Sequence, residues 1–128
     1  MTDSTRGARK HPAGAAWEQS ACDYLCDRGL KLVQENYRCP FGEIDLVMRE
    51  GNCVVFVEVR YRRRSNFGGG LGSVTLRKQH RMSRVASHFL QRHPRLADRP
   101  CRFDVVAISG SIAKPSIDWI AHAFEDPR

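Results

Sequence analysis

The sequence has no long hydrophobic run and no paired cysteine motif. No apolar segment approaches the ~20 residues that a membrane-spanning helix needs, and the opening MTDSTRGARKHPAG has no apolar segment resembling a signal peptide. Five cysteines, at 22, 26, 39, 53 and 101, include no CxxC and so indicate neither a disulfide framework nor a zinc site. We therefore expect a cytoplasmic protein with reduced thiols and no membrane partner.

The glycine-rich stretch SNFGGGLGS, residues 65–73, does not contain the GxxxxGK[ST] pattern of a nucleotide-binding P-loop. It predicts a flexible loop. Its backbone N–H groups could contact a phosphate, but a glycine-rich loop is more often only a connection.

The 128 residues are enough for one domain with a real core, and 41% apolar and 27% charged residues are typical of a globular protein. We predict a flexible basic arm over residues 1–13 and a single domain over 14–128. The formal net charge of +7 favours an anionic partner, of which nucleic acid is the commonest.

Hydrophobic periodicity predicts two helices and five strands. The helices are expected at 14–28 and 74–92, and the strands at 32–37, 43–48, 53–59, 102–108 and 117–120. In the first helix, Glu18 falls on the apolar stripe formed by Ala15, Ala21, Cys22, Leu25 and Cys26. A carboxylate on the buried face of a helix indicates a special role.

The dipeptide Gly51-Asn52 predicts a two-residue hairpin between the second and third strands. Paired residues then have numbers that sum to 103, so Asp45 is expected to face Glu58 and Glu43 to face Arg60. Side chains of directly opposed residues lie on one face of a sheet, roughly 5 Å apart. The register thus predicts two neighbouring carboxylates.

The second helix carries a basic stripe of Arg77, Arg81, Arg84 and His88 at spacings of four, three and four, on a face away from Met82, Val85, Ala86, Phe89 and Leu90. The stripe is explained either as a solvated helix surface or as a phosphate-binding face.

The predicted acid pair needs a positive partner, because neighbouring buried carboxylates repel each other. A divalent cation is one solution: Mg²⁺ prefers a few carboxylates together with water and phosphate oxygens, and Glu18 could complete such a site. A structural network of ion pairs is the other, for instance Glu58 with Arg102 and Glu43 with Arg60.

Several motifs together resemble the YraN-like family of bacterial proteins, which are similar to restriction endonucleases and Holliday-junction resolvases. They are GAAWEQ at 14–19, GEIDLV at 42–47, FVEVR at 56–60, the Arg77-Lys78 helix and RFDVV at 102–106. The resemblance covers residues 12–124. It implies an α/β protein of the restriction-endonuclease-like fold, with a central mixed β-sheet flanked by α-helices.

The resemblance also implies a site for Mg²⁺ or Mn²⁺. The metal ligands would be Asp45, Glu58 and the main-chain carbonyl of Val59, with Glu18 as an additional acid. Arg60 takes the place of the lysine that positions or activates water in such nucleases. Arginine cannot act as a base but can hold a phosphate. Lys78 or Gln79 is the alternative source of the missing group.

The leading functional hypothesis is a metal-dependent endonuclease that acts on nucleic acid, DNA in preference to RNA. Its catalytic residues would be Asp45, Glu58, Arg60 and Glu18, and its nucleic-acid contacts Arg62, Arg63, Arg64, Arg77, Lys78, Arg81 and Arg84. One alternative is a catalytically weak or inactive nucleic-acid-binding module of the same fold, and another is a structural protein that binds an acidic partner. A homodimer is a further expectation from the resolvase likeness.

Overall fold

The computed structural model describes residues 12–62 and 74–127. It contains the helices α1 (Pro12–Asp27), α2 (Leu76–Gln91) and α3 (Pro94–Ala97), and the strands β1 (Lys31–Cys39), β2 (Gly42–Glu50), β3 (Cys53–Tyr61), β4 (Cys101–Gly110) and β5 (Pro115–Phe124). The two longer helices and the five strands lie where the periodicity predicts them, and α3 is an additional short turn. Most of the predicted arm, residues 1–11, and the loop 65–73 lie outside the described residues.

The five strands form one mixed sheet in the order β1-β2-β3-β4-β5. The pair β3–β4 is parallel and the other three pairs are antiparallel. A parallel pair needs a long crossover connection, and the segment with α2 and α3 supplies it. The prediction of an α/β protein with a central mixed sheet flanked by helices is confirmed at this level.

The hairpin between β2 and β3 has the predicted register from Glu50↔Cys53 to Leu46↔Val57. Gly51 has a φ of +56°, which suits the first position of a tight hairpin turn. The described ladder ends at Leu46↔Val57, so the predicted direct pairing of Asp45 with Glu58 is wrong. Beyond this point β2 continues with β1 to Gly42, while β3 continues with β4 to Tyr61.

The sheet is covered on both faces. On one face, α1 packs its Trp17, Ala21 and Leu25 against a cluster from the strands that contains Leu46, Met48, Val55, Val57, Val106 and Ile108. On the other, α2 packs Met82, Val85, Ala86 and Phe89 against Tyr37, Ile44, Val47, Val54, Phe56 and Phe103. Strand β3 is therefore buried from both sides, as its nearly continuous apolar sequence predicts.

Strict strand alternation would put Ile44, Leu46 and Met48 on one face of β2, but Ile44 departs from it. Ile44 belongs to the α2 side of the core, whereas Leu46 and Met48 belong to the α1 side. Asn36, which lies between the β1 partners of Ile44 and Leu46, has a φ of +50°. This conformation turns the strand locally, and the change of face occurs at Asp45.

The stripe of α1 also differs in part from the prediction. Glu18 is buried at 8% exposure, as expected, but Ala15 and Cys26 are exposed and Trp17 takes their place in the core. Trp17 stacks on Tyr61 with ring centroids 4.3 Å apart. Across residues 12–62 and 74–127, no helix combines the length and the hydrophobicity that a membrane crossing requires.

Candidate active site

The parting of β2 and β3 opens a cavity of about 480 Å³ between the N-terminal halves of α1 and α2. Because β2 and β3 no longer pair here, polar side chains of both strands can turn into the opening. The residues that line it are Gly14, Glu18, Gly42, Glu43, Asp45, Glu58, Val59, Lys78, Arg81 and Met82. The cavity thus brings together six residues to which the sequence assigns a functional role, namely Glu18, Asp45, Glu58, Val59, Lys78 and Arg81.

Three carboxylates form the acidic part of the cavity. One oxygen each from Glu18, Glu43 and Asp45 lies within 4.8 Å of the others. All three are hard oxygen donors with no histidine or cysteine beside them in the group, which is the donor chemistry that Mg²⁺ and Mn²⁺ prefer. The residues therefore fit a divalent cation of this type, although acidic groups of this kind also occur without one.

The carboxylate of Asp45 is held by the main chain of β3. The N–H of Val59 donates a hydrogen bond of 2.8 Å to Asp45 Oδ2. This bond replaces the ladder contact that a continued hairpin would make. Because the N–H and C=O of one strand residue face the same neighbouring strand, the Val59 carbonyl lies on this side of β3 as well. The Val59 carbonyl thus faces the same edge of β3 as the Asp45 carboxylate.

Glu58, the fourth carboxylate of the cavity, forms an ion pair with a lysine of α2. Lys78 Nζ lies 2.5 Å from Glu58 Oε2, and both side chains are largely shielded from solvent. Lys78 occupies the first turn of α2, where its N–H donates to the N-cap side chain of Thr75 at 3.2 Å. The N-cap thereby fixes the start of the helix and the direction of Lys78. Of the two alternatives to Arg60, Lys78 is the one that reaches the acids.

Arg81, one turn beyond Lys78, lies against the start of β2. Gly42 has a φ of +141°, and a Cβ at this position would lie 3.1 Å from Arg81 Cδ. The glycine of the GEIDL motif is therefore explained by both its backbone conformation and the passage of the arginine. Arg81 belongs to the predicted basic stripe and lines the acidic cavity.

The predicted pairing of Glu58 with Arg102 is wrong. Arg102 instead bonds Glu50 at 2.6 Å and the fully buried Asp104 at 3.0 Å. Hydrogen bonds to these two acids raise the pKa of Arg102 above its ordinary value in spite of its burial. Arg102 belongs to a separate network at the far end of the hairpin, because Glu50 adjoins the turn.

Asp104 is the centre of that network. Its two oxygens also accept hydrogen bonds from Trp119 Nε1 and from the main-chain N–H of His122, both 2.9 Å long. His122 has a φ of +55° and lies where the β4–β5 register shifts. Asp104 therefore holds an irregular part of β5 in place, which indicates a structural role.

The remaining predicted residues lie around the cavity or outside the described segments. Among the described residues, Arg60, Arg62, Arg77 and Arg84 do not belong to its lining. Arg60 is half-buried and pairs with Ala107 in the β3–β4 ladder. Arg63 and Arg64 are not described. Of the arginines in the predicted nucleic-acid contacts, Arg81 is therefore the one described residue that lines the cavity.

The basic stripe of α2 faces the β1–β2 hairpin over part of its length. The guanidinium of Arg84 lies 4.1 Å above the ring centre of Phe41, and His88 Nδ1 is 2.5 Å from the hydroxyl of Tyr37. Sequence reasoning left Phe41 out, because the position of a turn residue relative to a distant helix has no local signal. It also gave Glu43 no definite role, although Glu43 bonds Arg38 at 2.9 Å and belongs to the acid group.

Comparison with known proteins assigns the family. Residues 17–108 match the model of a family described as "Uncharacterised protein family UPF0102". The chain is 52% identical over 114 residues to the UPF0102 protein PSEEN4497 of Pseudomonas entomophila, which covers 88% of this chain and 93% of that relative. It is 50% identical to the UPF0102 protein NE0719 of Nitrosomonas europaea, a match that covers 88% of this chain and 93% of that relative. It is 48% identical to a UPF0102 protein of Nitrosococcus oceani, a match that covers 87% of this chain and 90% of that relative. The chain therefore belongs to the uncharacterised protein family UPF0102, the YraN-like family that its motifs indicate.

Proposed function

We propose that this protein is a nuclease-like protein that hydrolyses phosphodiester bonds in DNA with Mg²⁺ or Mn²⁺. One observation carries the proposal: a single open cavity combines a group of three carboxylates with the Glu58–Lys78 pair and Arg81. Acids that hold a cation and bases that hold a phosphate are the two requirements of metal-assisted phosphodiester hydrolysis. The proposal includes a restriction-endonuclease-like fold and a cytoplasmic location.

The acids of the cavity would hold the cation. Asp45 is central, since Val59 N–H orients it and it adjoins both Glu18 and Glu43. Glu58 and the Val59 carbonyl are the further ligands on β3. A bound Mg²⁺ or Mn²⁺ would supply a Lewis acid and lower the pKa of a coordinated water.

Lys78 would take the role of the lysine that, in similar nucleases, follows the acidic residue corresponding to Glu58. Its ammonium is held beside Glu58 by an ion pair and by the capped first turn of α2. In this position it can donate a hydrogen bond to a phosphate oxygen or to the attacking water and stabilise the negative charge that develops. Arg60 is then not needed to stabilise that charge, and its proposed role is to contact a phosphate.

Arg81 and the outer arginines would bind the DNA backbone. Arg81 lines the cavity itself, and Arg77 is exposed on the same helix. Contacts of this kind position the substrate without reading its sequence. Arg62, Arg63, Arg64 and Arg84 extend this surface in the proposal, and a homodimer would present two such surfaces.

The proposal is tested by titrating Mn²⁺ into the protein by calorimetry and by incubating the protein with branched and linear DNA. Asp45→Asn is expected to abolish both metal binding and cleavage. Glu35→Gln, which removes an exposed carboxylate of β1 outside the cavity lining, is the matched control and should change neither. Metal binding and cleavage that survive in Asp45→Asn would show that the assignment is wrong.

A second candidate is a nucleic-acid-binding module without turnover. The observation that favours it is the ion pair itself, because Lys78 already neutralises Glu58 without a metal. Its signature would be salt-dependent DNA binding that is unchanged by Mn²⁺ and by Asp45→Asn.

A further inference from the structure

Phe41 projects from the turn between β1 and β2 directly beside the candidate active site. The side chain is 39% exposed. It lines a second, open cavity of about 360 Å³ together with Arg38, Cys39, Pro40, Gly42 and Glu43. Gly42 and Glu43 also line the acidic cavity, so the two cavities adjoin at these two residues.

The ring of Phe41 is supported by α2. Arg84 lies over it at 4.1 Å, and the ring of His88 meets it nearly edge-on with centroids 6.1 Å apart. His88 is in turn held by the hydroxyl of Tyr37, which lies 2.5 Å from His88 Nδ1. Because these contacts already fix the orientation of the Phe41 ring, the ring loses little conformational entropy when a partner stacks on it.

The surroundings of Phe41 are basic. Arg84 lies over its ring and Arg38 lines the same cavity, and Glu43, the one acid among the described lining residues, bonds Arg38 at 2.9 Å. An exposed aromatic ring with arginines nearby suits a ligand that has a flat apolar face and a negative charge beside it. A nucleotide has this chemistry: its base stacks on the ring while its phosphates meet the guanidinium groups.

We propose that Phe41 stacks on an unpaired base of the DNA whose backbone enters the acidic cavity. The inference rests on the proposed function and specifies its substrate class, namely DNA with unpaired nucleotides next to the bond that is cleaved, as in junctions, gaps and frayed ends. The bases of an intact duplex are covered on both faces by their neighbours and cannot offer a face to Phe41. Stacking is tolerant of base identity, so no sequence preference is expected from this contact.

The test measures binding of the wild-type chain in EDTA, where no cleavage can occur. The probes are a 20-base-pair duplex and the same duplex with a three-nucleotide single-stranded gap, and a 2-aminopurine in the gap reports on stacking. We expect tighter binding to the gapped DNA and quenching of the fluorophore. Phe41→Ala should weaken binding to the gapped DNA by roughly tenfold, within the range for loss of one base–aromatic stack, and leave duplex binding unchanged.

Two variants serve as controls. Phe41→Trp should retain the preference for gapped DNA, since it keeps a stacking face. Leu32→Ala removes an apolar side chain of β1 that is 40% exposed and should have no effect. Equal affinity of wild type and Phe41→Ala for the gapped DNA would overturn the inference about Phe41 and leave the nuclease proposal standing. The nuclease proposal is tested separately, by the loss of metal-dependent cleavage in Asp45→Asn. Capture of the chain by an acidic protein with no binding to either DNA would overturn both.

Discussion

Lys78 Nζ lies 2.5 Å from Glu58 Oε2, although the two residues are separated by twenty positions and by a connection that includes 63–73. The contact joins the capped N-terminus of α2 to the strand that ends the hairpin. It places a primary amine at the acids of the cavity, whose lining includes Lys78 and not Arg60. The function of the site can therefore be tested at Lys78.

Lys78→Met is expected to reduce DNA cleavage by about 100-fold or more, the usual effect of removing a group that stabilises transition-state charge. Lys78→Arg should retain only part of the rate, because a guanidinium is larger and its charge is delocalised over a planar group instead of concentrated on one nitrogen. The measurement is single-turnover cleavage at saturating DNA and Mn²⁺. Lys31→Met, which removes an exposed lysine of β1 outside the cavity lining, is the control, and equal rates for both Met variants would contradict the assignment.

Gly42→Ala is expected to destabilise the fold by about 1–3 kcal/mol, because an L-residue is strained at positive φ. It should also lower cleavage, since the new Cβ would lie 3.1 Å from Arg81 Cδ and displace that side chain. Urea unfolding and the cleavage assay together provide the measurement. Gly29→Ala separates the two effects, because Gly29 has a φ of +100° but no atom within 4 Å of the added Cβ, and its cleavage should be unchanged.

Asp104→Ala is expected to lower the free energy of unfolding by about 3–5 kcal/mol, the effect of removing one partner of a buried ion pair. The loss would leave Trp119 Nε1 and the His122 N–H without their acceptor. Asp118→Ala, on the exposed face of β5, should stay within about 0.5 kcal/mol of wild type. Similar urea midpoints for the two variants would argue against a structural role for Asp104.

Stability is expected to fall at alkaline pH because of Cys22. Burial, together with the neighbouring Cys26, raises the pKa of Cys22 from 9.0 to about 12. Between these values the unfolded chain releases the thiol proton and the folded chain retains it, so the free energy of unfolding decreases as the pH rises from about 9 towards 12. The decrease should be smaller in Cys22→Ala and unchanged in Cys39→Ala, as measured by urea unfolding at about pH 8 and pH 10.5. Parallel pH profiles for wild type and Cys22→Ala would rule out this explanation.

The sequence by itself determined the local features of the protein. The spacing of apolar residues assigned the helices and strands and put Glu18 on the buried face of α1, because helical and strand periods determine which side chains share a face. The Gly51-Asn52 turn determined the hairpin register from Glu50↔Cys53 to Leu46↔Val57, because a two-residue loop leaves one way to pair the flanking strands. The motifs identified the family.

Only the tertiary structure decided which charges meet. The turn at Asn36 and the separation of β2 from β3 bring Asp45 to the Val59 N–H, instead of directly opposite Glu58. The packing of α2 on the sheet directs Lys78 to Glu58, Arg81 past Gly42 and Arg84 onto Phe41. Hydrophobic periodicity identifies which face of a helix or strand is buried. It does not identify where a neighbouring helix or strand packs along that face. The contacts between long side chains of distant segments therefore follow from packing and leave no local pattern in the sequence.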